Sequence, residues 1–205
     1  MRKGEATRER LLATAERAVL DKGFTATSIE ELIAEVGITK SGFFYNFRDK
    51  QELALAMLER YIAMDQEQVD ALFSRAAELS DDPLQRFLIA MKLMAELMEG
   101  RANTQAGCVA ASLAYQENQV DRRVIERMRV AALAWRKQFR LLLDEIAAVY
   151  PPRDTIDLDV VADMCTSALQ GGFVMRKMLR DPAIMGQQVM ALRSYIKLLF
   201  QPGLN

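Results

Sequence analysis

The apolar positions near the start of the chain, Leu11, Leu12, Ala15, Ala18 and Val19, recur at the 3.6-residue period of a helix. Arg8, Arg10, Glu16 and Arg17 fall on the other face, so residues 5–22 read as an amphipathic helix that Gly23 ends. A second apolar face follows in Ile29, Leu32, Ile33 and Val36. Thr27 or Ser28 is placed to cap that helix, because a side-chain oxygen there accepts an orphan backbone N–H, and Glu30 or Glu31 completes a capping box. Gly37 then falls where the chain must turn, and Thr39 caps a third, short helix to about Tyr45. Asp49 opens the fourth.

The fourth helix runs to about Ala77 along the stripe Leu53, Met57, Leu58, Tyr61 and Met64, and its length suits a connector between a head and a body. Asp81-Asp82-Pro83 is a stop and restart, after which a helix extends to about Glu99 and is broken at Gly100-Arg101-Ala102-Asn103. A short helix is expected within 104–117 and a long one over 119–149, where Val124, Met128, Ala131, Trp135, Leu142 and Ile146 share a face. Tyr150-Pro151-Pro152-Arg153-Asp154 is the clearest linker, since its two prolines fix φ and remove donors. Helices over about 155–179 and 182–200 complete the chain. No useful strand-like alternation, internal repeat or low-complexity segment is present. The pattern therefore predicts an all-α protein of about nine helices, with an N-terminal helix-turn-helix domain over residues 1–48 and a helical body over 49–205.

At 205 residues, with 51% apolar and 27% charged side chains, the composition is that of a globular protein. The net charge of −1 means that any affinity for nucleic acid must come from local basic residues. With no histidine, His-ligated zinc or iron and imidazole catalysis are excluded, and no cofactor or metal is expected. Cys108 and Cys165 are too few and too far apart for a thiolate cluster, which suits a reduced compartment. The charged N-terminus lacks an apolar signal core and no window reaches eighteen uncharged apolar residues, so the expected location is the cytoplasm. No paired-carboxylate motif or phosphate-binding glycine loop supports an enzyme.

Gly23-Phe24 closing the first helix, Thr27 opening the second, the turn Gly37-Ile38-Thr39 and the run Gly42-Phe43-Phe44-Tyr45-Asn46-Phe47 with Lys50 and Leu53 together carry a resemblance. Over roughly residues 7–58 the chain resembles the TetR family of one-component transcriptional repressors; beyond residue 60 only the layout is alike. Thr39, Lys40, Ser41, Gly42 and Phe43 are the candidates for the exposed side of the recognition helix, with Phe44 and Phe47 anchoring its rear. The resemblance implies phosphate contacts from Thr27 or Ser28, Tyr45 and Lys50, with Lys40 nearer the bases, while Arg2, Lys3 and Arg8 form a basic arm. Asn46 departs from the aromatic or histidine common in relatives. Gly42 inside a helix costs roughly 1 kcal/mol relative to Ala, a cost that makes sense where the backbone approaches another surface, either DNA or a neighbouring helix.

A short recognition helix offers few contacts, so two copies on a two-fold axis are expected to read a palindromic operator in double-stranded DNA. Ala162, Ala168, Gly171 and Gly172 allow close helix approach, and Met185, Val189, Leu192, Ile196 and Leu199 repeat at heptad-like spacing. Either the last two helices form the homodimer interface, which the family layout implies, or this stripe packs inside its own subunit. The resemblance also implies an effector pocket in the body, where Phe87, Met91, Met94, Met98, Tyr115, Met128, Trp135 and Phe139 supply adaptable apolar lining or ordinary core. Cys108 is either a sensor thiol near that pocket or a small buried hydrophobe. Arg122, Arg123, Arg127 and Arg129 read as a solvated face. The expected protein is a homodimeric repressor released by a small, largely apolar effector, and the alternative is a DNA-binding regulator without a small-molecule switch.

Overall fold

The computed structural model of the chain describes residues 3–100 and 107–201. Among them are nine α-helices and no strand: α1 Lys3–Lys22, α2 Ile29–Val36, α3 Lys40–Asn46, α4 Lys50–Ala77, α5 Pro83–Gly100, α6 Val109–Ala114, α7 Arg122–Val149, α8 Leu158–Leu179 and α9 Ile184–Phe200. The expected short helix is α6, with a single 3₁₀ turn, Glu117–Gln119, between it and α7. The expected break at Arg101–Asn103 and the start of a helix at 104 lie outside the described residues. So do Arg2 and the side chain of Lys3. No helix among the described residues is long and apolar enough to cross a membrane.

The chain divides into two compact units, one of Met1–Asp65 with Ala106–Ala131 and one of Gln66–Gln105 with Ala132–Asn205. The boundary drawn from sequence after residue 48 marks the end of the helix-turn-helix. Packing carries the first unit beyond it, because α6 lies on α1 and the first half of α4 supplies buried Leu53, Ala54, Met57 and Leu58. Leu11, Leu12, Ala15 and Val19 of α1 are buried in the same unit, as are Leu32, Val36, Phe43 and Phe47, so the apolar stripe of α1 faces inward.

In the second unit α9 packs against α5 and α8. Its core joins Leu88, Met91 and Met94 of α5 with Phe139, Leu143 and Ile146 of α7, Val161 and Cys165 of α8, and Val189, Leu192 and Ile196 of α9. Most residues expected at the interface pack inside this chain. Met185, Val189, Leu192 and Ile196 are buried against their own subunit, and Ala168 packs at the edge of the same core. A Cβ on Gly172 would lie 2.7 Å from the Met185 sulfur, so that small residue serves the α8–α9 crossing within one chain. A heptad-like stripe on α9 needs an apolar partner, and α5 and α8 already provide it. Facing outward instead are Val160, Met175 and Met178 of α8 and Leu198 of α9, at 59%, 40%, 71% and 62% exposure. Gly171, on that outward side, has nothing within 4 Å of where a Cβ would be.

Candidate nucleic-acid interface

The reading head is built by its caps. Ser28, in extended conformation, accepts the Glu31 N–H at 3.2 Å and so starts α2, while Glu30 and Glu31 favour its positive end. Thr27 is not the cap: its hydroxyl donates to the Gly23 carbonyl at 2.9 Å and its side chain is buried. That takes Thr27 inward and removes its hydroxyl as a phosphate ligand, leaving Ser28 exposed at the helix start. Gly37 ends α2 with φ 70°, a left-handed conformation that an L side chain resists, and its N–H bonds back to Ile33 at 3.0 Å. Thr39 caps α3 by accepting the Gly42 N–H at 3.1 Å.

Within α3 the aromatic run sorts into two faces. Phe43 and Phe47 are buried, their ring centroids 5.9 Å apart, and they fix the helix to the core of the first unit. Phe44 is 45% exposed and meets Phe43 edge-on at 5.4 Å. The expected roles of Phe43 and Phe44 are therefore exchanged. Spacings of three and four both keep residues on one helical face, so the pattern alone admits either pair, and in the structure it is Phe43 that is buried.

The outward strip of α3 thus comprises Thr39, Lys40, Ser41, Phe44 and Tyr45, the last 84% exposed. Lys40 lies 3.8 Å from Glu30 with both side chains in solvent, a pair worth little and readily given up. Asn46 turns back on its own helix and donates to the Gly42 carbonyl at 2.8 Å. A Cβ on Gly42 would meet only Ile38 and Thr39, at 3.5 Å, which is ordinary contact. No neighbouring helix requires glycine there. Arg8 stacks over the Phe47 ring at 5.1 Å.

Lys50 differs from a free surface cation. Its ammonium donates to the carbonyls of Phe24 at 2.6 Å and Thr25 at 3.4 Å and sits 4.3 Å from the Phe24 ring centroid. Burial pushes the pKa of this group down. An ammonium has three donors, so two carbonyls leave one for a phosphate. Asp49, before the start of α4, accepts the Glu52 N–H at 2.7 Å, and Glu52 in return accepts the Arg48 N–H at 2.7 Å. That backbone hydrogen bond from Glu52 is the main reason the Asp49 carboxyl sits below the usual range.

The eight residues expected to line an effector pocket do not form one group. Met91, Met94 and Phe139 come together in the second unit with Cys165, Leu169, Val189 and Leu192, and these side chains close on one another without room for a water molecule. Met98 packs beside that core and Trp135 is half-buried on α7. Burial pushes the Cys165 thiol up to about 12, which makes it an inert core group. Cys108, Tyr115 and Met128 belong to the first unit. Cys108 is buried and caps α6, its sulfur accepting the Ala111 N–H at 3.4 Å. Next to it the Tyr61 hydroxyl is held protonated, chiefly by burial and then by the Cys108 sulfur. Tyr115 is 78% exposed and Met128 half-buried.

Residues 11–57 match the family model of bacterial regulatory proteins, tetR family. The same region is similar to the HTH-type transcriptional repressor NemR of Escherichia coli (strain K12), 44% identical over 57 residues that make up 28% of this chain and 29% of that protein. It is also similar to the uncharacterized HTH-type transcriptional regulator YerO of Bacillus subtilis (strain 168), 42% identical over 57 residues, 28% of this chain and 20% of the other. The chain thus aligns with less than a third of these curated relatives. Over nearly its whole length it shares a fold with a tetR-family transcriptional regulator from Agrobacterium tumefaciens, at TM-score 0.80 and 17% identity, covering 94% of this chain and 98% of that one. The reduced form of E. coli NemR superposes at TM-score 0.77 and 20% identity, covering 98% and 100%.

Proposed function

We propose that this chain is a member of the tetR family of bacterial regulatory proteins, whose model its residues 11–57 match, and acts as a sequence-specific DNA-binding transcriptional repressor of the cytoplasm and not as an enzyme. The observation that carries this reading is the outward strip Thr39, Lys40, Ser41, Phe44 and Tyr45 on a helix whose rear is fixed by Phe43 and Phe47. Such a strip offers one cation, short hydroxyls and an apolar ring, which suit base edges and a thymine methyl in the major groove. Ser28, Tyr45 and the remaining donor of Lys50 are proposed to hold phosphates. Gly42 is proposed to let the backbone come close to the duplex, since among the described residues the nearest atoms to its Cβ position are those of Ile38 and Thr39, at ordinary contact distance.

A helix of seven residues is about 10 Å long and reads only a few base pairs. Two copies related by a two-fold axis supply the missing specificity on a palindrome. The outward apolar face of α8 and α9, with Val160, Met175, Met178 and Leu198, is the proposed dimer contact.

For release, a small, largely apolar effector has to bind a conformation that DNA disfavours. Met91, Met94 and Phe139 are the proposed lining, and because they close on one another, the effector selects an opened arrangement of the second unit. A tenfold loss of operator affinity needs only about 1.4 kcal/mol of differential binding. The same closed packing favours a second reading, a regulator governed by a protein partner or by abundance. Selection of bound sequences from a random duplex pool, with and without a library of small apolar compounds, tests both. A recovered palindrome supports the dimeric reader, a compound that abolishes recovery supports the switch, and no enrichment at all overturns the DNA-binding reading.

A further inference from the structure

Three segments far apart in sequence close a ring of polar contacts, all within the first unit. The first is the α1–α2 turn, where Gly23 has φ 89° and Thr25 presents its N–H and hydroxyl. The second is the connection after α6. Its Gln116 Oε1 accepts the Thr25 N–H at 2.8 Å and the Thr25 hydroxyl at 2.9 Å. A Cβ on Gly23 would lie 2.3 Å from Gln116 Nε2, so glycine at that point permits the approach as well as the backbone angle. The third is the first turn of α4. There Gln51 donates to the Gln119 carbonyl at 2.9 Å and accepts the Asp121 N–H at 2.9 Å, satisfying both ends of one amide. Lys50, its neighbour, returns to the Phe24 and Thr25 carbonyls and closes the ring. Buried Val120 pins the connection between the two glutamine contacts.

We propose that Gln51 and Gln116 are positioning residues for operator reading: they lock the α1–α2 turn and the start of α4 to the 115–121 connection, and so fix the attitude of α2 and α3. Neither side chain belongs to the outward strip of α3. Their effect on DNA is therefore on the preorganisation of the head and not on phosphate contacts. This rests on the DNA-reading function proposed above.

The test compares full-length Gln116→Met, Gln116→Glu and Gln51→Ala with wild type by fluorescence anisotropy, on the selected palindrome and on an unrelated duplex. Met keeps the length of Gln but removes the acceptor for Thr25, whereas Glu keeps it. Gln116→Met and Gln51→Ala are expected to lower palindrome affinity about tenfold, with unrelated-duplex affinity and salt slope unchanged. Gln116→Glu stays near wild type. Hydrogen exchange on the free protein supplies a readout without DNA: the Thr25 amide loses protection in Gln116→Met and keeps it in Gln116→Glu. Equal palindrome affinity in all variants, or an equal loss on both duplexes, overturns the positioning role while leaving DNA reading intact. A wild-type protein that prefers no duplex overturns the DNA-reading proposal, and the positioning role falls with it.

Discussion

The head and the body of this molecule are both helical and both built on apolar stripes, yet their stripes carry different amounts of information. In the head, the two reading helices α2 and α3 are only about two turns long and their ends are written in local residues: Ser28 and Thr39 as caps, Gly37 as a left-handed stop. The caps fix the helix starts, and the left-handed Gly37 fixes where α2 ends. In the second unit the helices run through 17 or more residues, and an apolar stripe of that length says that a helix packs but not against what. Local chemistry specifies the head. Tertiary choice specifies the body.

Substitutions of paired residues sharpen that contrast. The largest effect is expected in α3: Phe43→Ala removes a fully buried ring and should destabilise the head by about 3–5 kcal/mol, read as a drop in melting temperature together with loss of DNA binding. Phe44→Ala, one residue on, should leave melting within about 0.5 kcal/mol while weakening the operator complex. Equal melting losses in the two variants would put both rings in the core and dissolve the two-faced reading of α3.

In the body the matching pair is Ile196 and Met178. Ile196→Ala should cost about 2–5 kcal/mol in melting at any protein concentration, because its side chain is wholly buried in its own subunit. Met178→Asp, on the outward face, should leave subunit melting nearly unchanged at low concentration and shift sedimentation from dimer to monomer. A wild-type protein that sediments as a monomer would remove the dimer proposal and leave the Ile196 result standing.

A smaller effect separates folding from reading at one position. Gly42→Ala fits the surrounding atoms and should raise stability by roughly 0.5–1 kcal/mol, yet it should lower operator affinity if the α3 backbone lies against the duplex. Tighter operator binding by this variant would remove the close-approach argument for Gly42.

The smallest effect is acid sensitivity. The Asp49 carboxyl is held below its ordinary pKa first by the Glu52 backbone N–H, and the Asp121 carboxyl first by Arg123. Both are lowered in the folded state, so their contribution is present above the unfolded pKa and is lost as pH falls below about 4. Both groups are partly exposed and screened by solvent, so the loss is small. Hydrogen exchange at the start of α4 and at 121–124 between pH 5 and pH 3 should report it; protection that rises on acidification would contradict the assignment.

The helix count, the cap of α3 and the turn at Gly37 were legible because each depends on residues close by in sequence. What was not legible depended on partners elsewhere in the chain. Choosing Phe43 over Phe44 for the core needs the placement of α3 against α2, which the spacing within α3 does not give. One local choice also stayed open: Thr27 and Ser28 both fit the α2 cap, and the Gly23 carbonyl, four positions back, settles it by taking the Thr27 hydroxyl. The stripe Met185, Val189, Leu192 and Ile196 fits a partner subunit as well as it fits α5 and α8, and no spacing rule separates the two. Gln51 and Gln116 carried no sequence signal at all, being ordinary polar residues whose partners lie 68 to 91 positions away.

The central claim is that the outward strip of α3 reads base sequence. Its most direct test is parallel sequence selection by wild type, Lys40→Ala and Phe44→Ala from one random duplex pool. The account predicts a palindrome from wild type, and from each variant the same palindrome with preference relaxed at a distinct position of each half-site. Recovery of an identical motif at undiminished preference from all three proteins would contradict it.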